Sequence, residues 1–464
     1  MDYIENRTFD EIKVGDSASL VRTLTADDIK LFAVMSGDVN PAHVDEEYAR
    51  SDQFHKIIAH GMWGGSLIST LLGTKLPGPG TIYLGQTLAF RRPVSAGDTI
   101  TVTVTATAKD PERPRVTFDC RCTNQRGEVV ISGSADVQAP AEKVKRPRVV
   151  LPEVHMHDHG ARYRHLIERT KGLRPIRTAV VHPVDRDSLV GALDAAGVGL
   201  IIPVLIGPEA KIRAAAQAAG VDLGPYELLP TEHSHEAAAT AVALARAGKV
   251  EALMKGSLHT DELMHEVVAR DVGLTTARRV SHVFALDVPT YPRALFLTDA
   301  AINIVPSLDD KRDIVQNAID LARVLGITRP RVAIISAIET VSSRLRSTID
   351  AAALCKMADR RQITGGLLDG PLGFDNAVSE EAAHAKGIDS PVAGRADILV
   401  VPDLEAGNML AKQLEYLAEA QGAGIVLGAR VPIVLTSRAD KPLSRMASCA
   451  IALLLARQSA TVKV

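Results

Sequence analysis

The sequence predicts two domains of different class: an antiparallel sheet wrapped around one helix, then a larger α/β unit with a mostly parallel sheet. Three observations predict it. The chain has 464 residues, too many for one ordinary hydrophobic core. Up to about residue 138 the polar and apolar residues alternate with period two, as in half-buried strands. From about residue 175 short continuous apolar runs alternate with amphipathic helical stretches, the pattern of parallel strands covered on both faces.

The elements follow in order. Thr25 and Asp28 have capping-box spacing, which predicts a helix through Ile29, Phe32 and Met35. GMWGGSLISTLLGTKL, from Gly61, is apolar nearly all round and rich in small residues, so it is expected to be buried on most sides. TIYLGQTLAF, DTITVTVTATA, RVTFDCRCTN and VVISGSADVQ then read as strands separated by Gly, Pro and Asp. One buried helix wrapped by an antiparallel sheet is the hotdog architecture. Residues 1–140 are assigned to this domain, 141–160 to a linker rich in proline and charge, and 161–464 to the α/β part. In the latter RTAVVHPV, LIIPVLIG, EALMKGS, RALFLTD, RVAIISAI, ADILVVPD and VPIVLTSR are short apolar runs that end in polar residues. Ligands gather beyond the carboxyl ends of such strands. Neither a GxGxxG turn nor a Walker A loop is present.

Composition narrows the function. A formal net charge of −2 argues against a nucleic-acid surface built on basicity. No apolar run approaches the ~18 residues of a membrane span, and the acidic, mixed start MDYIENRTFDEIKVGD is not a signal peptide. Cys120, Cys122, Cys355 and Cys449 lack zinc or redox spacing, so free thiols in the cytoplasm are expected. His155, His157 and His159 alternate in the linker without accompanying Cys or acidic ligands; they are read as solvated, and no metal is expected.

The stretch SGDVNPAHVDEEYA turns Asp38 and His43 toward each other through Asn40-Pro41. Adding water across an activated double bond needs a base for the water and an acid for the neighbouring carbon. A carboxylate and an imidazole reaching one water supply both. The enolate on a thioester oxygen then needs a positive pole, which the N–H of Gly61 at a helix start offers. SGDVNPAHVDEEYA, IIAHGMWGGSLIS, LPGPGTIYLGQTLAF and RPVSAGD together resemble the (R)-specific enoyl-CoA hydratases of the MaoC-like hotdog family. The resemblance implies Asp38 and His43 as catalytic pair and Gly61 as oxyanion donor. It implies Ser69 supporting the site from the helix and Asn40 holding the loop. Trp63 stands where relatives commonly carry a smaller apolar residue; its bulk either shortens the acyl tunnel or fills the core.

In the second domain MKGSLHT places Lys255, Gly256, Ser257 and Thr260 after a strand. Such a turn can cradle an anion through backbone N–H groups and an ammonium. FLTDAAIN places Asp299 and Asn303, and VLTSRAD places Ser437 and Arg438, a pair suited to phosphate. With GPLGFDNAVSEEAAHAKGIDSPVAGRADILVVPD and its neighbours, these stretches resemble the phosphate acetyltransferase and butyryltransferase family. The resemblance implies two α/β subdomains with a cleft between them. The implied reaction is acyl-CoA plus phosphate giving acyl phosphate plus CoA. Arg438 would hold phosphate, and Ser437 would donate to the oxyanion or the thiol sulfur. Ser444 stands where relatives carry an acid; Asp440 is a substitute at a different position. The expected whole is a homo-oligomeric cytoplasmic enzyme that takes acyl-CoA and phosphate as substrates and needs no cofactor. The alternative is an active hydratase joined to a non-catalytic acyl-CoA-sensing or oligomerising module.

Overall fold

The computed structural model describes residues 3–151, 154, 156, 160–436 and 440–461. They fall into two compact units, Met1–Met156 and His157–Val464.

The first unit is a five-stranded antiparallel sheet in the order Ser17–Thr23, Thr99–Lys109, Arg115–Thr123, Val129–Gln138, Ile82–Phe90. The helix Gly61–Thr74 packs against the sheet and buries Trp63, Ile68, Leu71 and Leu72. Each such side chain contributes about 1.5–3 kcal/mol on leaving water. Small residues let the helix approach closely: a Cβ on Gly64 would sit 2.4 Å from the Ile131 methyl. The helix is less enclosed than its composition predicts. Met62, Ser66, Ser69 and Thr70 face outward, because one open sheet covers only one side of a helix.

The expected cap is present in the helix Ala26–Ser36: Asp28 N–H donates to Thr25 Oγ1 at 3.0 Å, and Thr25 N–H to the Asp28 carboxylate at 2.9 Å. Within the stretch read as linker, Lys145–Pro147 pairs antiparallel with Tyr3–Glu5. No period-two signal marks so short an exposed strand.

The second unit carries an 11-stranded mixed sheet. One wing runs Glu227–Pro230, Ile201–Gly207, Ile176–Val181, Ala252–Lys255 and Ile433–Val434, all parallel. The other runs Leu295–Thr298, Ile398–Val400, Arg331–Ile335 and Leu367–Leu372, also parallel. Between them Gln421–Leu427 and Ser281–Asp287 pair antiparallel with their neighbours. Two parallel wings thus share one continuous sheet. Short apolar runs do not reveal strand direction, which is why the antiparallel centre was not legible. Lys311 and Asp350 pair at 2.7 Å, nearly inaccessible to water, and tie the helix Leu308–Val324 to Arg346–Asp359. No helix of the described residues is long and apolar enough to cross a membrane.

Candidate active sites

In the first unit three segments converge. Gly37, at φ +75°, ends the helix Ala26–Ser36 and turns the chain toward Asp38. Asn40 caps the single helical turn Pro41–Val44 by accepting from the Ala42 N–H at 3.1 Å. That turn carries His43, whose Nδ1 donates to the Ile58 carbonyl at 2.8 Å. A carbonyl only accepts, so Nδ1 holds the hydrogen and a neutral ring leaves Nε2 bare.

His60 completes the cluster, and motif reading did not single it out. Its Nε2 donates to the Asp38 carbonyl at 3.0 Å, and its ring lies 4.0 Å from that of His43. His60 is buried, and its Nδ1 has no hydrogen-bond partner. One ligating atom from each of Asp38, His43 and His60 lies within 4.8 Å of the others. The clue in sequence was its position just before the apolar helix, a place read only for the glycine that follows.

Gly61 starts that helix, so its N–H has no carbonyl one turn back. A Cβ there would meet the Phe90 ring at 2.8 Å, so glycine lets that ring pack against the helix start. His43, His60, Gly61 and Trp63 line a cavity of about 520 Å³ with Phe54, Phe90, Val94, Ile131 and other apolar groups, and Arg91 and Arg92 lie at its edge. Trp63 belongs to both the cavity wall and the core. The structure does not bring Ser69 to this cluster. Ser69 is eight residues along the helix from Gly61, about 12 Å at 1.5 Å per residue, on the outward face.

In the second unit Lys255, Gly256 and Ser257 follow a parallel strand and lead to the helix Thr260–Val268. The expected anion cradle of Gly256 and Ser257 N–H groups is not formed. Gly256 N–H donates to the Val181 carbonyl and Ser257 N–H to the His182 carbonyl, each at 2.9 Å. The turn therefore extends the sheet, and its glycine is needed because a Cβ would lie 2.5 Å from the Val181 oxygen.

Asp299 and Asn303 are brought together and buried. The Asp299 carboxylate accepts from the N–H groups of Ala301, Ile302 and Asn303 and from Asn303 Nδ2 at 2.6 Å. Burial pushes its carboxyl up against the opposing pull of these hydrogen bonds. Asn303 in turn donates to the Val280 carbonyl and accepts from Arg279. Ser437 and Arg438 lie outside the described residues, as do His155, His157 and His159. Just beyond Arg438, Asp440 and Ser444 line one cavity of about 470 Å³ with Lys412, Glu415 and Lys441. Ser444 itself is buried.

A family model described as MaoC like domain matches residues 12–122, and one described as Phosphate acetyl/butaryl transferase matches residues 230–453. A phosphate acetyltransferase of Rhizobium meliloti is 61% identical over 304 residues, covering 66% of this chain and 96% of that protein. The chain belongs to the phosphate acetyl/butyryl transferase family. Its transferase part follows a MaoC-like hotdog domain, so the chain is a fusion of the two. Among solved structures, a branched-chain phosphotransacylase from Enterococcus faecalis is 28% identical, covers 61% of this chain and 99% of that one, and has a TM-score of 0.53. R-hydratase PhaJ1 from Pseudomonas aeruginosa is 43% identical over 33% of this chain and 99% of that one, with a TM-score of 0.33.

Proposed function

We propose that this family member carries two activities on CoA thioesters. The first unit reversibly hydrates a trans-2-enoyl-CoA to the (3R)-hydroxyacyl-CoA. The second reversibly exchanges CoA and phosphate on an acyl group. The observation that carries the first is the cluster of Asp38 with His43 and His60, whose two imidazoles line an apolar cavity together with Gly61. A water held between the Asp38 carboxylate and the bare His43 Nε2 is polarised for attack. Its hydroxyl bonds to C3 of the enoyl group and its proton passes to one of the two acceptors. The enolate oxygen is met by the Gly61 N–H and the positive end of the helix. A proton returned to C2 completes the addition and restores both groups. Arg91 and Arg92 at the cavity edge suit the phosphates of CoA.

Family membership supports the second activity. Phosphate attacks the thioester carbonyl, the tetrahedral state collapses, and the thiolate leaves and takes a proton. Arg438 is the proposed phosphate fork and Ser437 the proposed donor to the oxyanion or sulfur. Asp440 is the proposed acid for the thiolate, since it shares a cavity with the buried Ser444 that occupies the expected position. The Lys255 turn and the Asp299–Asn303 network are proposed to shape the acyl-CoA and phosphate site through the backbone they hold. We propose self-association as well: Ile82–Phe90 is an edge strand with Ile82, Tyr83, Leu84 and Phe90 exposed.

The test of the first activity is Asp38→Asn with crotonyl-CoA. Hydration is expected to fall by about 2–4 orders of magnitude, with phosphate-dependent thiol release unchanged. Hydration at the wild-type rate sinks the mechanism. The second is tested by thiol release from acetyl-, propionyl- and butyryl-CoA with and without phosphate; no phosphate dependence on any of them leaves the sensing module.

A further inference from the structure

We infer that His60 is a positioning residue, which holds Asp38 in place beside His43 for the proposed hydration. It acts through those two groups rather than on the substrate. The catalytic part of the inference rests on the hydratase reading above; the anchoring of the Asp38 loop does not.

Asp38 is exposed on the loop that follows Gly37, and the bonds this loop makes within itself are short-range. Asp38 N–H donates to Ser36 Oγ at 3.3 Å, Asn40 N–H to Asp38 Oδ1 at 3.2 Å, and Ala42 N–H to Asn40 Oδ1 at 3.1 Å. Among the described residues, one hydrogen bond ties residues 37–40 to a distant part of the chain: His60 Nε2 to the Asp38 carbonyl, at 3.0 Å. The donor is firmly seated. His60 is only 3% exposed, and its ring packs against those of Phe32 and His43, with centroids 5.0 and 4.0 Å away.

His43 is held by the same short segment. The Ile58 carbonyl accepts from His43 Nδ1 at 2.8 Å, and Ile58 N–H donates to the Ala42 carbonyl at 3.3 Å. Ala59 N–H donates to the Val94 carbonyl at 2.7 Å, and Ile58 bridges to Ser95, so the segment is itself fixed. Residues 58–60 thus grip one member of the pair at each end. Packing alone does not call for an imidazole here. Its Nδ1 is buried without a partner, a cost that a phenylalanine ring avoids. What the imidazole adds is the Nε2 donor to Asp38. A catalytic group misplaced by about 1 Å loses up to about 100-fold in rate.

The experiment separates ring from donor in the full chain. His60→Phe keeps a ring against Phe32 and His43 but has no donor. His60→Gln carries its amide nitrogen as many bonds beyond Cβ as Nε2 and keeps the donor. His60→Phe is expected to lower kcat for crotonyl-CoA hydration by about 10- to 100-fold with KM little changed, and His60→Gln to recover most of that loss. Hydrogen exchange over residues 36–44 is expected to quicken in His60→Phe and to stay near wild type in His60→Gln. Circular dichroism checks folding. Should the Phe chain fail to fold, His60→Asn, whose amide is a bond shorter, takes its place in the comparison. Wild-type kcat in a folded variant without the donor overturns the inference, and so do equal losses in the Phe and Gln variants. A wild type that leaves crotonyl-CoA untouched removes the hydratase reading, and exchange alone then decides whether His60 anchors the loop.

Discussion

Gly256→Ala tests whether the Lys255 turn is held as rigidly as its backbone contacts require. The new Cβ would stand 2.5 Å from the Val181 carbonyl oxygen and 2.9 Å from the His182 carbonyl carbon and oxygen. Side-chain carbons do not come within 3.0 Å of such atoms, so the turn must retreat by about half an ångström. The neighbour is strand backbone in the middle of the parallel wing and cannot rotate away. Overpacking of this kind costs about 1–3 kcal/mol. Stretching the Gly256–Val181 and Ser257–His182 hydrogen bonds adds about 1 kcal/mol. A loss of about 2–4 kcal/mol corresponds to a fall in melting temperature of roughly 5–10 °C in a large domain. The assay is differential scanning calorimetry of the full chain, with thiol release and crotonyl-CoA hydration measured on the same sample. Phosphate-dependent thiol release is expected to drop while hydration, in the other unit, holds. Gly197→Ala is the control in the same unit, since nothing lies within 4 Å of its Cβ. Gly256→Ala melting within a degree of wild type, with full thiol release, refutes the reasoning.

Three further outcomes are expected. His282 is fully buried and its pKa is pushed down to about 3 by loss of water. The unfolded ring binds a proton near pH 6.5, so the folded state loses stability as pH falls from about 6.5 toward 3, by at most ~1.4 kcal/mol per pH unit. His282→Leu should flatten that limb in urea melts, and an identical pH profile counts against it. Arg438→Ala should depress phosphate-dependent thiol release and raise the phosphate requirement, with Arg438→Lys a poor substitute because it lacks the planar fork; superimposable wild-type and variant curves refute the phosphate role. Trp63→Leu should raise kcat/KM for hexenoyl-CoA relative to crotonyl-CoA by opening the cavity wall, and an unchanged ratio means that Trp63 only fills the core.

Much of this protein was legible along the chain. The two hydrophobic periods separated an antiparallel unit from an α/β unit, because period two and strand–helix alternation are local consequences of which faces leave water. The capping box at Thr25 and Asp28 is equally local, and so is the Asn40-Pro41 turn that carries His43. What tertiary structure alone decided depends on partners far off in sequence. His60 meets Asp38 across 22 residues, and its second nitrogen was left bare by packing rather than by any motif. Ser69 faces outward because the sheet covers one side of its helix only. The N–H groups of Gly256 and Ser257 were spent on Val181 and His182, some 75 residues away. The antiparallel centre of the 11-stranded sheet likewise arises from strand order, which an apolar run does not encode. Composition and spacing choose the element and its exposed chemistry; which donors stay free is set only when distant backbone arrives to accept them.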